Sequence, residues 1–168
     1  MARMISLRYL AFVTAFSPLA WADVATSLQS IRSVSREGAG NAEASKAWTS
    51  LSAAKAEDLP VLLAGMDGAN PLAQNWIRAA VGVIEDRDGK ALPVAALEKF
   101  VQNTKHSAEA RALAFDILGR AAPDKAEALT PKLLEDPGAE LRRHPVAKLI
   151  EKGDAALAKG DKEAAGNA

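Results

Sequence analysis

The sequence predicts an all-α fold, and three observations carry that prediction. Apolar residues make up 49% of the chain but aromatic ones only 5%, so much of the apolar share is alanine, the best helix former. From Trp48 onward the chain divides into amphipathic segments of 10–16 residues, each closed by Gly, Pro, Asp or Asn. No convincing run of alternating β-branched residues interrupts them.

The first 22 residues belong to a different category. Arg3 and Arg8 precede a short apolar run from Tyr9 to Phe16, followed by Ser17-Pro18 and the small-x-small triplet Ala20-Trp21-Ala22. This pattern predicts a secretory signal cleaved after Ala22. The alternative, a membrane anchor, needs an apolar stretch of ~20 residues, and this one is far shorter. The expectation is release into the periplasm or medium, with no stable membrane insertion after cleavage. The whole chain balances 21 basic against 21 acidic residues, and loss of the two arginines leaves a net charge of −2. No basic face is evident that would hold nucleic acid. The absence of cysteine excludes disulfides, thiolate metal sites and a lipid-modified processing site.

Residues 23–42 predict a short helix near Val24–Val34 and a Gly-containing linker. Helical segments then follow at 43–55, 58–66, 71–86, 93–103, 107–120, 124–135 and 138–152, with a short one at 154–159. Trp48 and Leu51, three apart, share a helix face, and Trp48 and Trp76 are expected to pack inward. Residues 59–61 and 92–94 both read Leu-Pro-Val, 33 positions apart. The same shift lays 59–86 over 92–119, matching Asn70 with Asn103, Arg78 with Arg111, Ala79 with Ala112 and Ile84 with Ile117. Proline is tolerated in a first helical turn because its missing N–H was unpaired anyway, so Pro60 and Pro93 mark helix starts. A looser third unit carries Leu129-Thr-Pro131, Leu133-Leu134, Asp136-Pro137 and Arg142. A period in the thirties with two helices per unit predicts a helical repeat array.

The stretch LTPKLLEDPGAELRRHPVAKLI, residues 129–150, resembles the HEAT-repeat pattern: apolar-Pro-x-Leu-Leu closing one helix, Asp-Pro, then an apolar-Arg pair opening the next. NPLAQNWIRAAVGVI (70–84) and KHSAEARALAFDIL (105–118) resemble the second half of the same unit. The likeness spans roughly 56–152. It implies a right-handed α-solenoid of about three stacked helical pairs within 43–152. Together with the signal segment, the arrangement is similar to exported bacterial HEAT-repeat proteins, which often continue into further domains. Pro145 departs from a regular helix: it deletes a backbone bond to Leu141 and clashes with that carbonyl, which costs ~3 kcal/mol in an unadapted helix. A kink or a restart is expected at His144-Pro145. Residues 156–168, ALAKGDKEAAGNA, resemble the turn of a tetratricopeptide unit, so 153–168 is either disordered or the start of something longer.

Chemistry-bearing patterns are sparse. His106 and His144, the two histidines, fall near predicted helix starts; they either share a metal on one edge or are simply solvent-exposed, and no carboxylate stands at ligand spacing to favour the first. Glu85-Asp86-Arg87-Asp88-Gly89 suggests a calcium loop, but the register puts Ile84 and Ala95 where oxygen ligands are required. It reads as a turn. No G-x-S-x-G or S-x-x-K motif occurs, and Gly65-Met-Asp-Gly68 lacks the lysine of a phosphate loop. Neither a cofactor nor a metal is implied.

Two functional readings follow. One is a non-enzymatic scaffold holding a protein partner; the other is a helical accessory domain of a larger exported enzyme or carbohydrate-acting protein. Arg78, Arg111 and Arg142 are the candidate site residues, either as partner contacts on a basic ladder or as struts between repeats. The signal assignment is checked by mass spectrometry of the N-terminus: cleavage predicts Asp23 as the first residue, and an intact Met1 on membrane-bound protein contradicts it.

Overall fold

The computed structural model describes residues 18–167, with side chains from Asp23 onward; most of the expected signal segment, residues 1–17, lies outside them. The chain forms α1 (Pro18–Arg32), α2 (Asn41–Ser52), α3 (Leu59–Ala64), α4 (Pro71–Asp88), α5 (Val94–Gln102), α6 (Ala108–Ala121), α7 (Pro123–Leu129), α8 (Ala139–Ala158) and α9 (Lys162–Gly166). Short 3₁₀ turns occupy Arg36–Gly38, Ala56–Asp58 and Thr130–Glu135, and no strand occurs among the described residues.

Local chemistry explains the boundaries. Pro60 and Pro71 sit in the first turns of α3 and α4, and Pro93 is the residue on which α5 starts. Asn70 and Ser107 cap α4 and α6, their side-chain oxygens accepting from the amides of Ala73 and Ala110. Asn103, which the shift of 33 pairs with Asn70, does not cap the start of α6; it ends α5, its backbone N–H donating to the Phe100 carbonyl. Its side chain accepts from the Lys105 amide instead, and α6 starts one turn later relative to α4. The segment expected as one helix over 124–135 divides at Thr130: α7 gives way to a 3₁₀ turn because Pro131 has no N–H for a regular helical bond.

Pro145 neither ends nor restarts its helix. α8 runs unbroken from Ala139 to Ala158, joining the two segments expected at 138–152 and 154–159. Pro145 and Leu141 are both buried, so the first half of α8 is held by packing across the missing backbone bond. Beyond α8, Gly160 turns the chain at φ 75° and Asp161 caps the short α9.

The core is aliphatic and continuous. Ile31, Leu51, Leu59, Leu62, Leu63, Met66, Ile77, Ile84, Leu97, Ile117 and Leu118 are fully enclosed within a single cluster. α1 packs on α2 and α4, so Val24, Leu28 and Ile31 belong to the same cluster as the helices that follow the expected linker. α3 touches α4, α5 and α6; α6 in turn packs on α5, α7 and α8. Each helix meets neighbours close to it in the sequence. Trp48 and Trp76 lie at the edge of this core, partly buried against it, and the Trp48 indole N–H has no acceptor.

Leu63→Ala should lower unfolding free energy by about 2–5 kcal/mol, because it removes a fully enclosed side chain from a dense interior. Val83→Ala, at a position 39% exposed, should change it by no more than ~0.5 kcal/mol. Urea titration followed by circular dichroism measures both.

Candidate functional site

The three arginines that repeat in the sequence occupy three different environments. Arg111, on the first turns of α6, is 2% exposed. Its Nε donates to the Val101 carbonyl at the end of α5 at 2.8 Å. Its two terminal nitrogens meet the Asp136 carboxylate as a fork, Nη1 to Oδ1 at 3.1 Å and Nη2 to Oδ2. Asp136 is 7% exposed, and its Oδ1 also accepts from the Gly138 amide at 2.8 Å. Arg142, in the first turns of α8, donates to the carbonyls of Asp136 and Pro137. The loop between the 3₁₀ turn and α8 is thus held from both sides by arginine. It runs so close to α6 that a Cβ on Gly138 would lie 2.5 Å from the Ala108 Cβ.

Arg78 is exposed on α4 and makes no ion pair with another described residue. The reason lies in the loop it would have to reach. The residue 33 positions before Asp136 is Asn103, which is uncharged and exposed. The arginines therefore form no ladder: one is buried, one braces a loop, and one faces solvent.

Two other arginines, absent from the sequence-based candidates, join positions that repeat with the 33-residue shift, one to backbone and one to a side chain. Arg87 at the end of α4 donates to the Ser52 carbonyl at 3.0 Å and to that of Ala54 at the end of α2. Arg120 at the end of α6 forms a fork with Glu85 of α4, 2.8 Å between Nη2 and Oε2. Donor and acceptor are each displaced by 33 residues between the two links, Arg87 to Arg120 and Ser52 to Glu85. Arg87 also bonds Asp88 at 2.9 Å, and this hydrogen bond holds the Asp88 carboxyl below its usual value. The bond to Glu85 raises Arg120 in the same manner. Arg32 of α1 adds a further link of this kind, donating to the carbonyls of Gly65 and Asp67 at 2.7 and 2.8 Å.

Neither histidine is a bare surface group at a helix start. His106 lies in the loop before α6, stacked on Phe100 with ring centroids 4.1 Å apart and 11° between planes. Its Nδ1 is 2.7 Å from Asp67 Oδ2, while Asp67 Oδ1 accepts from the Ser107 amide at 2.8 Å. His144 lies inside α8, beside Phe115, with Nε2 3.5 Å from Asp116 Oδ1. At that distance no hydrogen bond forms, and the buried Nε2 lacks a hydrogen-bond partner. His144 also borders a cleft of about 540 Å³ between α6, α7 and α8, floored by Phe115, Pro123 and Ala126. Lys148 and Glu127 pair across its edge. Ser107, next to His106, caps α6, and Thr130, which lines the same cleft as His144, donates to the Ala126 carbonyl. His106 pairs with Asp67 while His144 only lies near Asp116, and no group of three metal-ligating side chains occurs among the described residues. No described helix is long and apolar enough to cross a membrane.

Comparison with protein-family models, with curated proteins and with solved structures finds no match for this chain.

Removing one member of the buried pair leaves an uncompensated charge. Asp136→Ala and Arg111→Met should therefore each destabilise by about 3–5 kcal/mol. The double variant, carrying no stranded charge, should lose less than the two single losses combined. Denaturant titration of all three variants measures the coupling.

Proposed function

We propose that the protein is an exported, HEAT-like α-solenoid of about three stacked helical pairs that binds a protein partner and performs no chemistry itself. The observation that carries this reading is that two links, Arg87 to the Ser52 carbonyl and Arg120 to the Glu85 carboxylate, join positions related by the same 33-residue shift as the Leu-Pro-Val repeat. Sequence period and contact period agree, which is how stacked units behave. A second support comes from the polar groups themselves. The two buried charged groups, Arg111 and Asp136, are spent on each other and on backbone, an arrangement suited to holding structure rather than to acid–base work.

The surface best suited to a partner is the outward face of α4. Leu72 is 45% exposed and Val83 39%, and Ala79 lies between them on the same face. Asn75, Arg78 and Asp86 flank them and are exposed. An apolar centre with a polar rim and one unengaged guanidinium is the usual composition of a contact patch.

The test is capture of a partner from the exported fraction, with Arg78→Ala plus Val83→Asp set against Arg111→Met. The α4 variant should lose capture at least about tenfold, equal to ~1.4 kcal/mol, and keep its circular dichroism and melting temperature. The Arg111 variant should lose stability first, and capture only with it. Retained capture by the α4 variant removes this face as the contact, and substrate turnover by the purified chain removes the non-enzymatic reading.

A further inference from the structure

The second half of α8, from Val146 to Ala158, has no buried residue, although the short α9 packs on α8. At 20 residues α8 is the longest helix described. Ile150 and Leu157 are 60% and 56% exposed, the highest values among the large apolar side chains, and Val146 is 44% exposed. The spacing i, i+4, i+11 places the three on one stripe within ~40° of one another, on the side of the helix opposite the buried Leu141. An isolated helical stretch of this length is marginal in water, so its apolar stripe needs a cover.

The charges beside the stripe indicate what covers it. Arg143 and Asp154 are exposed, lie on the same flank of the stripe, and form no ion pair or hydrogen bond with another described residue. A two-fold axis crossing the outer face of α8 level with Lys148 and Leu149 pairs each with the other across two antiparallel copies. The same axis sets Ile150 against the second copy's Ala147, a large side chain against a small one. It also lays Val146 along the aliphatic stem of the second copy's Glu151. One helix thus carries both halves of a complementary pattern, as an isologous contact requires. We infer that the outer face of α8 is a homodimer interface, closed by two symmetric Arg143–Asp154 ion pairs around Ile150 and Ala147.

Sedimentation equilibrium of the full chain tests this. A face built from one helix is smaller than a standard interface of about 1,600 Å², so half-association is expected at roughly 10–100 µM, with the average mass rising from 17.6 kDa toward twice that value. Ile150→Glu should raise the midpoint by at least about tenfold and leave circular dichroism unchanged, since the side chain is exposed in the single chain. Arg143→Asp should weaken association, and Arg143→Asp combined with Asp154→Arg should restore it, a rescue that a merely structural role would not produce. A wild-type chain that stays at the monomer mass throughout overturns the inference. So does a dimer indifferent to Ile150→Glu, or a charge swap that fails to rescue.

Discussion

The buried fork between Arg111 and Asp136 is the constraint on which the C-terminal half of the molecule depends. A guanidinium cannot be enclosed unless its three nitrogens find acceptors. Here the Val101 carbonyl takes a bond from Nε and the two Asp136 oxygens take one each from Nη1 and Nη2, while the Gly138 amide donates to the same carboxylate. Satisfying one side chain therefore fixes the end of α5, the start of α6 and the loop into α8 relative to one another. The absence of a Cβ at Gly138 lets that loop approach α6, and Arg142 binds its carbonyls from the far side. Such a pair contributes little net energy compared with a well-packed apolar replacement. Its contribution is to admit one arrangement and penalise the others.

Elsewhere the molecule uses arginine in a more modest way. Arg32 and Arg87 direct their donors at backbone carbonyls where other helices end or turn, and these are groups a helix cannot satisfy internally. An alanine-rich interior with few aromatic residues offers little side-chain area for locking helices in register. Long cationic side chains spanning from one helix to the terminus of another supply part of what bulky packing would otherwise give.

How much of this was legible in the sequence depends on how local the cause is. Pro60 and Pro93 act within a turn, and both stand where the Leu-Pro-Val pattern places a helix start, while Pro131 breaks a segment whose periodicity reads as one helix. Asn103 misleads because its match to Asn70 is one of identity, while a four-residue difference in where α6 starts moves the cap to Ser107. The equivalence of Arg78 and Arg111 fails for a non-local reason: what each finds depends on a loop 25 residues further along, Asp136 in one case and Asn103 in the other. Arg87 and Arg120 were within reach. They stand one position beyond the stretches 59–86 and 92–119 that the repeat aligns, and extending the comparison by a single residue brings them in. The pairing of His106 with Asp67 joins two loops 39 residues apart and has no signature in either.

The reach of the links has a consequence for how the chain loses its structure. Several polar bonds joining one region to the next span 33 to 40 residues, as with Arg32 to Gly65, Arg87 to Ala54, Arg120 to Glu85 and Asp67 to Ser107, and the Arg111–Asp136 fork spans 25. None of them clamps one end of the molecule to the other. Amide protons should accordingly exchange with solvent along a gradient, slowest around α3, α4 and α6 and fastest in the overhanging end of α8. Pulled from its termini, the chain should give way at that overhanging end before α3, α4 and α6 open.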